Sequence, residues 1–237
     1  NFWWPLEFSH VVTDKPMRVT ALEQEFVLYR TPDGAAHVMS DLCVHRGGAL
    51  SDGWMDGDRI VCPYHGWNYK SDGACVKIPA NQPGTAIPKK ARVDSYPTTE
   101  KYGYIWAFLG DIPESERPPF PELPHFDNPD FKAIRGTYEW PVYYERALEN
   151  SLDAAHAPFV HGGAFGNRDE PEIPDYQVTS HPLGGDMNVT LKPKKQNIPG
   201  LWQRLYKGKE EQAQGVNTRA AFWMPCMTLL EVTLPMG

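Results

Sequence analysis

Short runs of hydrophobic residues, separated by turn-forming residues, recur along most of the chain. Their length and their β-branched or aromatic content predict strands rather than helices. In the first half, the predicted strands cover residues 25–29, 36–39, 59–61 and 104–109. In the second half, they cover residues 176–179, 187–191, 220–224 and 228–234. The pattern therefore predicts a mostly β protein of the α+β class.

One segment has the periodicity of a helix instead. Between residues 143 and 161, apolar residues recur at helical spacing and no proline intervenes before Pro158, so the pattern predicts one long helix. A proline-rich stretch at residues 113–129 precedes this helix and suits an extended linker or a segment that wraps over a domain surface. We therefore predict two domains, residues 1–115 and residues 116–237.

Composition narrows the possible functions of the chain. Hydrophobic residues make up 41% of the 237 positions, which is enough for packed domains. The formal net charge of -7 and the lack of a long basic run argue against a nucleic-acid partner. No stretch approaches the roughly 20 apolar residues of a membrane span. We expect a cytoplasmic protein, although a chain that begins with Asn1 leaves an upstream targeting peptide open.

Two short motifs combine cysteine with histidine, each after a predicted strand. They are Cys43-Val44-His45 and Cys62-Pro63-Tyr64-His65. Thiolate and imidazole are good metal ligands, so the two loops predict one shared metal centre. Structural zinc accepts this donor set, and the four cysteines could instead form two disulfides. A two-iron cluster with both cysteines on one iron and both histidines on the other also fits.

The longer motifs, CVHRGGAL and CPYHGWNY, resemble the Rieske motif of the Rieske non-heme iron oxygenases. The resemblance implies that Cys43, His45, Cys62 and His65 hold a [2Fe–2S] cluster. The aromatic residues after His65 could shield this cluster from water, although packing alone accounts for them. The remaining two cysteines fit the role of buried small hydrophobic residues.

A second constellation lies in the predicted helix. Asn150, Asp153 and His156 are three residues apart and fall near one helix face, and His161 follows after Pro158. Two imidazoles and one carboxylate form the facial triad of non-heme Fe(II) oxygenases. His156 and His161 could supply two of these ligands, although taken alone they are equally well explained as structural histidines.

The resemblance extends to this segment and implies a role for each of its polar residues. In that family the helix carries Asn, Asp and two His in the same order, so His156 and His161 would bind mononuclear Fe(2+). Asn150 would lie close to the iron. Asp153 would bridge to the Rieske residue His65 of the neighbouring subunit and connect the two metals. The simpler alternative for Asn150 and Asp153 is that of solvated helix residues.

The family's third iron ligand is a carboxylate, usually Asp, on a helix near the C-terminus. After Glu231 the sequence contains no Asp or Glu, and Glu231 itself lies in a predicted strand. Asp175 and Asp186 suit turn positions. We therefore expect the third ligand, and the remainder of the catalytic domain, to lie beyond Gly237.

As a whole, the resemblance implies a Rieske domain followed by a partial catalytic domain of helices and antiparallel sheet. It implies the oxygenase component of a monooxygenase or dioxygenase that takes electrons from NAD(P)H through a separate reductase or ferredoxin. With O₂, such an enzyme hydroxylates, demethylates or desaturates an aromatic or other small organic substrate, typically as a homotrimer. The alternatives are a Rieske electron-transfer protein without oxygenase activity and a zinc-stabilised binding module.

Overall fold

The computed structural model describes residues 1–123, 125–161, 166–192 and 215–233. The chain divides into two compact units, Asn1–Phe131 and Lys132–Gly237. Strands dominate both units, which confirms the mostly β prediction. None of the helices in the described ranges combines the length and the apolar character that crossing a bilayer requires.

The first unit is built from three antiparallel sheets. Its strands are β1 (Phe2–Phe8), β2 (Met17–Ala21), β3 (Gln24–Arg30), β4 (Ala36–Ser40), β5 (Trp54–Asp56), β6 (Arg59–Val61), β7 (Asn68–Tyr69), β8 (Cys75–Lys77), β9 (Ser95–Tyr96), β10 (Thr98–Lys101) and β11 (Tyr104–Leu109). The sheets have the orders β1-β11-β10, β2-β3-β4-β9 and β5-β6-β7-β8. Single turns of 3₁₀ helix occur at Leu50–Asp52 and Glu114–Glu116.

Strand β3, in the sheet of order β2-β3-β4-β9, is buried on both faces. In β3 the four consecutive side chains of residues 26–29 are fully buried, although a strand points successive side chains to opposite faces. Val27 and Tyr29 belong to a core that also contains Cys43. Phe26 and Leu28 pack on the other face, against β11. The cysteine–histidine motifs are therefore anchored in a hydrophobic core of their own.

A buried carboxylate fastens the chain just before the first motif. Asp41 is fully buried, and its Oδ2 accepts hydrogen bonds from Arg18 Nε at 2.9 Å and from Ser51 Oγ at 2.7 Å. Its Oδ1 accepts the backbone N–H of Ser51 at 2.6 Å. The backbone N–H of Asp41 donates to the Glu25 carbonyl at 3.0 Å. Asp41 thus ties β3 to the turn that follows the first motif.

The described part of the second unit contains one antiparallel sheet and two short helices. The sheet has the order β12-β13-β14-β15. Its elements are α1 (Tyr144–Ser151), α2 (Ala157–Val160), β12 (Gln177–His181), β13 (Gly184–Leu191), β14 (Val216–Trp223) and β15 (Met227–Thr233). Val189 and Leu191 are buried against Ala157 of α2. The apolar face of the sheet therefore holds the second of the two helices.

The predicted single helix over residues 143–161 is wrong, because the chain forms α1 and α2 with a break between them. At the break, Asp153 Oδ1 accepts the backbone N–H of Ala155 at 2.7 Å, a local bond that competes with helical pairing. Pro158 has no N–H to donate and is tolerated only in the first turn of a helix, which is its place in α2. Each predicted strand corresponds to an observed one, while residue 234 lies outside the described residues.

The predicted domain boundary at residues 115 and 116 stays a prediction. In the structure, the proline-rich stretch groups with the first unit as far as Phe131. The hydroxyl of Tyr102 donates to the Pro121 carbonyl at 2.7 Å, and the guanidinium of Arg117 lies 5.0 Å from the centre of the Phe108 ring. Of the two predicted alternatives, the described part of this stretch therefore fits the segment that wraps over the surface of the first unit.

The role of Asp41 leads to a stability prediction. Asp41→Ala should lower the free energy of unfolding by about 2 kcal/mol, because it removes the buried acceptor of three hydrogen bonds from Arg18 and Ser51. Asp52→Ala is the matched control, since Asp52 faces the same Arg18 at 3.7 Å but is 72% exposed. Its effect should stay below about 0.5 kcal/mol. Urea denaturation of both variants measures the difference, and equal losses would contradict the anchoring role.

Candidate functional site

The two cysteine–histidine motifs form the tips of two β-hairpins. The first tip lies between the paired residues Leu42 and Ala49, and the second lies between the paired residues Val61 and Asn68. Each tip therefore contains six residues, of which the first is cysteine.

The same two backbone hydrogen bonds close both tips. In the first, the N–H of Gly47 donates to the Cys43 carbonyl at 2.8 Å, and the Cys43 N–H donates to the Gly48 carbonyl at 2.9 Å. In the second, the N–H of Gly66 donates to the Cys62 carbonyl at 3.0 Å. The Cys62 N–H then donates to the Trp67 carbonyl at 2.9 Å. Gly47 and Gly66 have φ of 70° and 69°, a conformation that glycine adopts without steric cost.

The structure brings the four predicted cluster ligands together. The rings of His45 and His65 are 4.6 Å apart between centroids and lie edge to face. A methyl group placed on Gly48 would be 3.2 Å from Cys62 Sγ, so the backbone of the first tip packs directly against the sulfur of the second. Four donors from two loops therefore surround one small volume.

The polar atoms of these side chains fit metal ligands. His45 Nδ1 is buried and has no hydrogen-bond partner, an arrangement that is unfavourable unless the atom binds a metal. Burial, together with the nearby His65, lowers the pKa of His45 and favours the neutral imidazole that metals bind. Burial raises the pKa of the Cys62 thiol, while the backbone N–H groups of Tyr64 and His65 donate to its sulfur and act in the opposite direction.

Trp67 and Tyr69 contact the predicted cluster ligands directly, which the sequence did not indicate. The ring of Trp67 stacks on His45 with centroids 4.5 Å apart and an interplanar angle of 5°. The hydroxyl of Tyr69 lies 3.0 Å from Cys43 Sγ. Burial raises the pKa of Tyr69 far above its usual range, so this hydroxyl keeps its proton and can donate to a thiolate. The only sequence signal for this contact was that residue 69 is tyrosine, which has a hydroxyl group, and not phenylalanine, which has none.

The second constellation lies around the break between the two helices. His156 and His161 occupy the positions that flank α2, and their rings are 5.2 Å apart between centroids. The segment between them is helical, since the N–H groups of Val160 and His161 donate to the carbonyls of His156 and Ala157 at 2.8 and 3.0 Å. The two imidazoles therefore approach each other across one turn of α2, and the break lies before both of them.

The remaining predicted residues of this site lie beside the histidine pair. Asp153 Oδ2 is 3.3 Å from His156 Nδ1, while the carboxylate as a whole remains 47% exposed. A carboxylate that accepts one imidazole N–H leaves the other ring nitrogen directed at a metal. Asn150 is exposed in the last turn of α1, and its carbonyl accepts the Asp153 N–H at 3.4 Å.

No carboxylate in the described ranges joins the histidine pair as a third ligand. Within those ranges, no set of three or more Cys, His, Asp or Glu side chains is grouped for a single metal ion, and this includes the hairpin tips. A two-iron cluster differs from such a site, because each of its irons takes only two of the four donors. Asp186 lies within β13 and binds Arg219 of β14, so its predicted turn role is wrong. Arg219 also pairs with Glu231 of β15 at 2.8 Å, which gives both carboxylates a structural partner.

Comparison with known proteins assigns both units to described families. Residues 2–97 match the family described as the Rieske [2Fe-2S] domain. Residues 140–236 match the family described as the Vanillate O-demethylase oxygenase C-terminal domain. The two matches agree with the two constellations, since the first contains the cysteine–histidine hairpins and the second contains the histidine pair.

Individual relatives give the same result. Protein TIC 55, chloroplastic, of Arabidopsis thaliana is 37% identical over 230 residues, which are 95% of this chain and 39% of that protein. Methylxanthine N1-demethylase NdmA of Pseudomonas putida is 35% identical over 187 residues, 73% of this chain and 51% of that protein. The solved structure of Pseudomonas putida CBB5 NdmA with caffeine has a TM-score of 0.82 and 28% identity, and covers 100% of this chain and 66% of that chain. The chain thus spans about half the length, or less, of these curated relatives.

The matched hairpin tips provide a test of their geometry. Gly47→Ala should lower the stability of the holoprotein by about 1 kcal/mol, because alanine is strained at positive φ. Gly66→Ala should cost about 2 kcal/mol, because the strain is the same and the added methyl group meets Pro79. That methyl group would be 3.0 Å from Pro79 Cγ, whereas the one on Gly47 would meet nothing within 4 Å. Thermal unfolding and iron retention compare the variants, and a larger loss for Gly47→Ala would contradict this geometry.

Proposed function

The chain belongs to the family of Rieske non-heme iron oxygenases, and on that premise we propose that it is the terminal oxygenase component of a multicomponent enzyme. Electrons from NAD(P)H arrive through a separate reductase or ferredoxin, and O₂ oxidises a small organic substrate, aromatic or other. Demethylation is the reaction that we favour, because the second unit matches an O-demethylase domain and one relative is an N-demethylase.

The observation that carries this proposal is the convergence of four donors on two hairpin tips, with His45 Nδ1 buried and unpartnered. We assign Cys43 and Cys62 to one iron of a [2Fe–2S] cluster, and His45 and His65 to the other. When bound, such a cluster stores and releases one electron, and its two imidazole ligands raise its potential above that of a four-cysteine cluster.

The surrounding residues shield the proposed cluster from water and donate hydrogen bonds to its cysteine sulfurs. The Trp67 ring covers one face of His45 and excludes water from it. The Tyr69 hydroxyl donates to the Cys43 sulfur, and the backbone N–H groups of the second tip donate to Cys62. Hydrogen bonds to the sulfurs stabilise their negative charge, and for that reason they favour the reduced centre.

His156 and His161 are our candidates for ligands of the mononuclear Fe(2+). In this assignment the Nδ1–H of His156 donates to Asp153, which orients the ring and presents its other nitrogen to the metal. The family uses such an iron to bring O₂ and substrate together. Asn150 lies one helical turn before Asp153, close enough to influence the same site.

Asp153 is our candidate for the bridge between the two metal centres. Its carboxylate is 47% exposed, so it can accept a further hydrogen bond from outside its own segment. We infer that this donor is His65 of a neighbouring subunit, within a head-to-tail homotrimer. A head-to-tail interface that closes on itself forms a ring, which suits three copies.

The alternative is a Rieske electron-transfer protein without oxygenase activity. A simple carrier needs no second iron, yet His156 and His161 lie 5.2 Å apart with a carboxylate beside them. That pair supports the oxygenase. We also infer a reducing compartment, the cytoplasm or an equivalent space, because cysteines that ligate metal must stay reduced.

Iron content tests the function directly. The purified protein should hold about three irons per chain, two in the cluster and one at the histidine pair. Cys43→Ser should remove the cluster and its visible absorption, whereas Cys75→Ser, which changes another buried thiol, should keep both. His156→Ala should lose only the mononuclear iron, with His181→Ala as the control. About two irons in the unmodified protein would favour the electron carrier.

The bridging role of Asp153 predicts a selective defect. Asp153→Asn should retain both metals, because asparagine keeps an oxygen for the Ala155 N–H. Reoxidation of the reduced cluster by O₂, with a methylated aromatic test substrate present, should slow by about tenfold or more. Glu149→Gln removes a neighbouring exposed carboxylate and should react like the unmodified protein. Normal reoxidation of Asp153→Asn would contradict the bridge.

A further inference from the structure

A cluster of basic residues borders the second hairpin tip. Residues 66–93 contain five basic residues and one acidic residue, a net charge of +4 in a chain whose formal net charge is -7. We call these five residues the basic rim: Lys70, Lys77, Lys89, Lys90 and Arg92. All five are exposed to solvent. Positive charge is therefore concentrated on one part of an otherwise acidic protein.

The basic rim lies next to the proposed cluster. Strand β7 begins immediately after Trp67, and its first residue, Asn68, pairs with Lys77 of β8. Neighbouring strands are about 5 Å apart, so Lys77 lies one strand away from the second tip. Arg92 reaches the same hairpin, because it pairs with Ala74.

Hydrophobic contacts keep the connecting segment close to the cluster loops. A methyl group on Gly66 would be 3.0 Å from Pro79 Cγ, so residue 79 packs on the second tip. Ile78 and Ile87 pack against the core that contains Cys43. The segment that carries Lys89 and Lys90 is therefore held against the same core as the proposed cluster.

Most of this positive charge is not neutralised by the protein itself. Within the described residues, Lys70, Lys77, Lys89 and Lys90 form no ion pair with an acidic side chain. Arg92 lies 4.0 Å from the Asp72 carboxylate and donates to the Asp72 backbone carbonyl at 2.6 Å. Four exposed lysines are thus available to an external partner.

The opposite edge of the same sheet has the opposite charge. In the sheet order β5-β6-β7-β8, the hairpin of β5 and β6 carries Asp56 and Asp58 around a single Arg59. The hairpin of β7 and β8 carries Lys70 and Lys77 with one acidic residue, Asp72, and so has a net charge of +1. Charge therefore changes sign across the sheet that holds the second tip, which gives an approaching charged protein a preferred orientation.

We propose that the basic rim is the docking surface for an acidic electron-donor protein of the ferredoxin type, which reduces the cluster. This inference rests on the proposed function, since it requires a cluster at the hairpin tips. Complementary charge raises association rates and orients partners more than it raises affinity, which suits a donor that must bind and leave at each electron transfer. Lys77 lies one strand away from the second tip, and the segment that carries Lys89 and Lys90 packs on the core that contains Cys43, so docking there brings the donor close to its acceptor.

The rate of cluster reduction tests the proposal. The holoprotein is mixed with a reduced plant-type [2Fe–2S] ferredoxin, a small acidic protein, and bleaching of the cluster absorption is followed by stopped flow. The triple variant Lys77→Glu, Lys89→Glu, Lys90→Glu should be reduced about tenfold more slowly, or slower still, at low ionic strength. Added salt should slow the unmodified protein and narrow the difference, because it screens exposed charges.

Two matched controls separate docking from general charge effects. Lys15→Glu makes the same charge change as Lys77→Glu at another exposed position of the first unit and should leave the ferredoxin rate unchanged. Reduced methyl viologen, a small cation, should reduce the triple variant no more slowly than the unmodified protein. If the triple Glu variant loses its cluster, the triple Gln variant at the same positions is used, and it should also react more slowly with ferredoxin.

The outcomes distinguish failure of this proposal from failure of the function. If the unmodified protein shows no Rieske absorption, the proposed function falls and the docking surface with it. If the cluster is intact but the ferredoxin rate is the same in the variants and at all salt concentrations, only the docking surface is overturned. A change in oligomeric mass of the triple variant would identify the rim as a contact between copies and would also overturn the proposal.

Discussion

Four donor side chains can share one pair of irons only if two separate loops are held at a fixed distance and in a fixed shape. Here the shape comes from backbone hydrogen bonds that close both hairpin tips in the same way. The distance comes from the packing of the first tip against the Cys62 sulfur and from the core that both cysteines share. The fold therefore sets both the shape and the spacing of the two loops that carry the proposed ligands.

The second site depends on a short helix that follows a break in the chain. His156 and His161 flank α2, and the break before α2 separates this pair from α1. Pro158 and the hydrogen bond that Asp153 accepts from the Ala155 N–H both favour that break. The residue proposed to bridge the metals thus also helps to shape the site.

The sequence predicts the cluster ligands from local spacing alone, because each loop supplies its own Cys and His within four residues. The strands were predictable for the same reason, since alternation and turn residues are local signals. The bond from Tyr69 to the Cys43 sulfur was not, because it joins residues 26 positions apart and depends on how two hairpins pack. The helix break was missed because periodicity outweighed two local signals, a proline and an aspartate. The third iron ligand has no candidate in the described residues, so neither sequence nor fold assigns it.

The ion pairs of Arg219 with Asp186 and Glu231 have a consequence for the sheet of the second unit. Three adjacent strands contribute one charged residue each, and all three side chains lie on one face. A slip of β15 by a single residue would turn Glu231 to the opposite, apolar face and leave an arginine short of a counter-charge. The three charged residues therefore favour one alignment of the strands. They destabilise sheets with a shifted register that the hydrophobic pattern alone would allow.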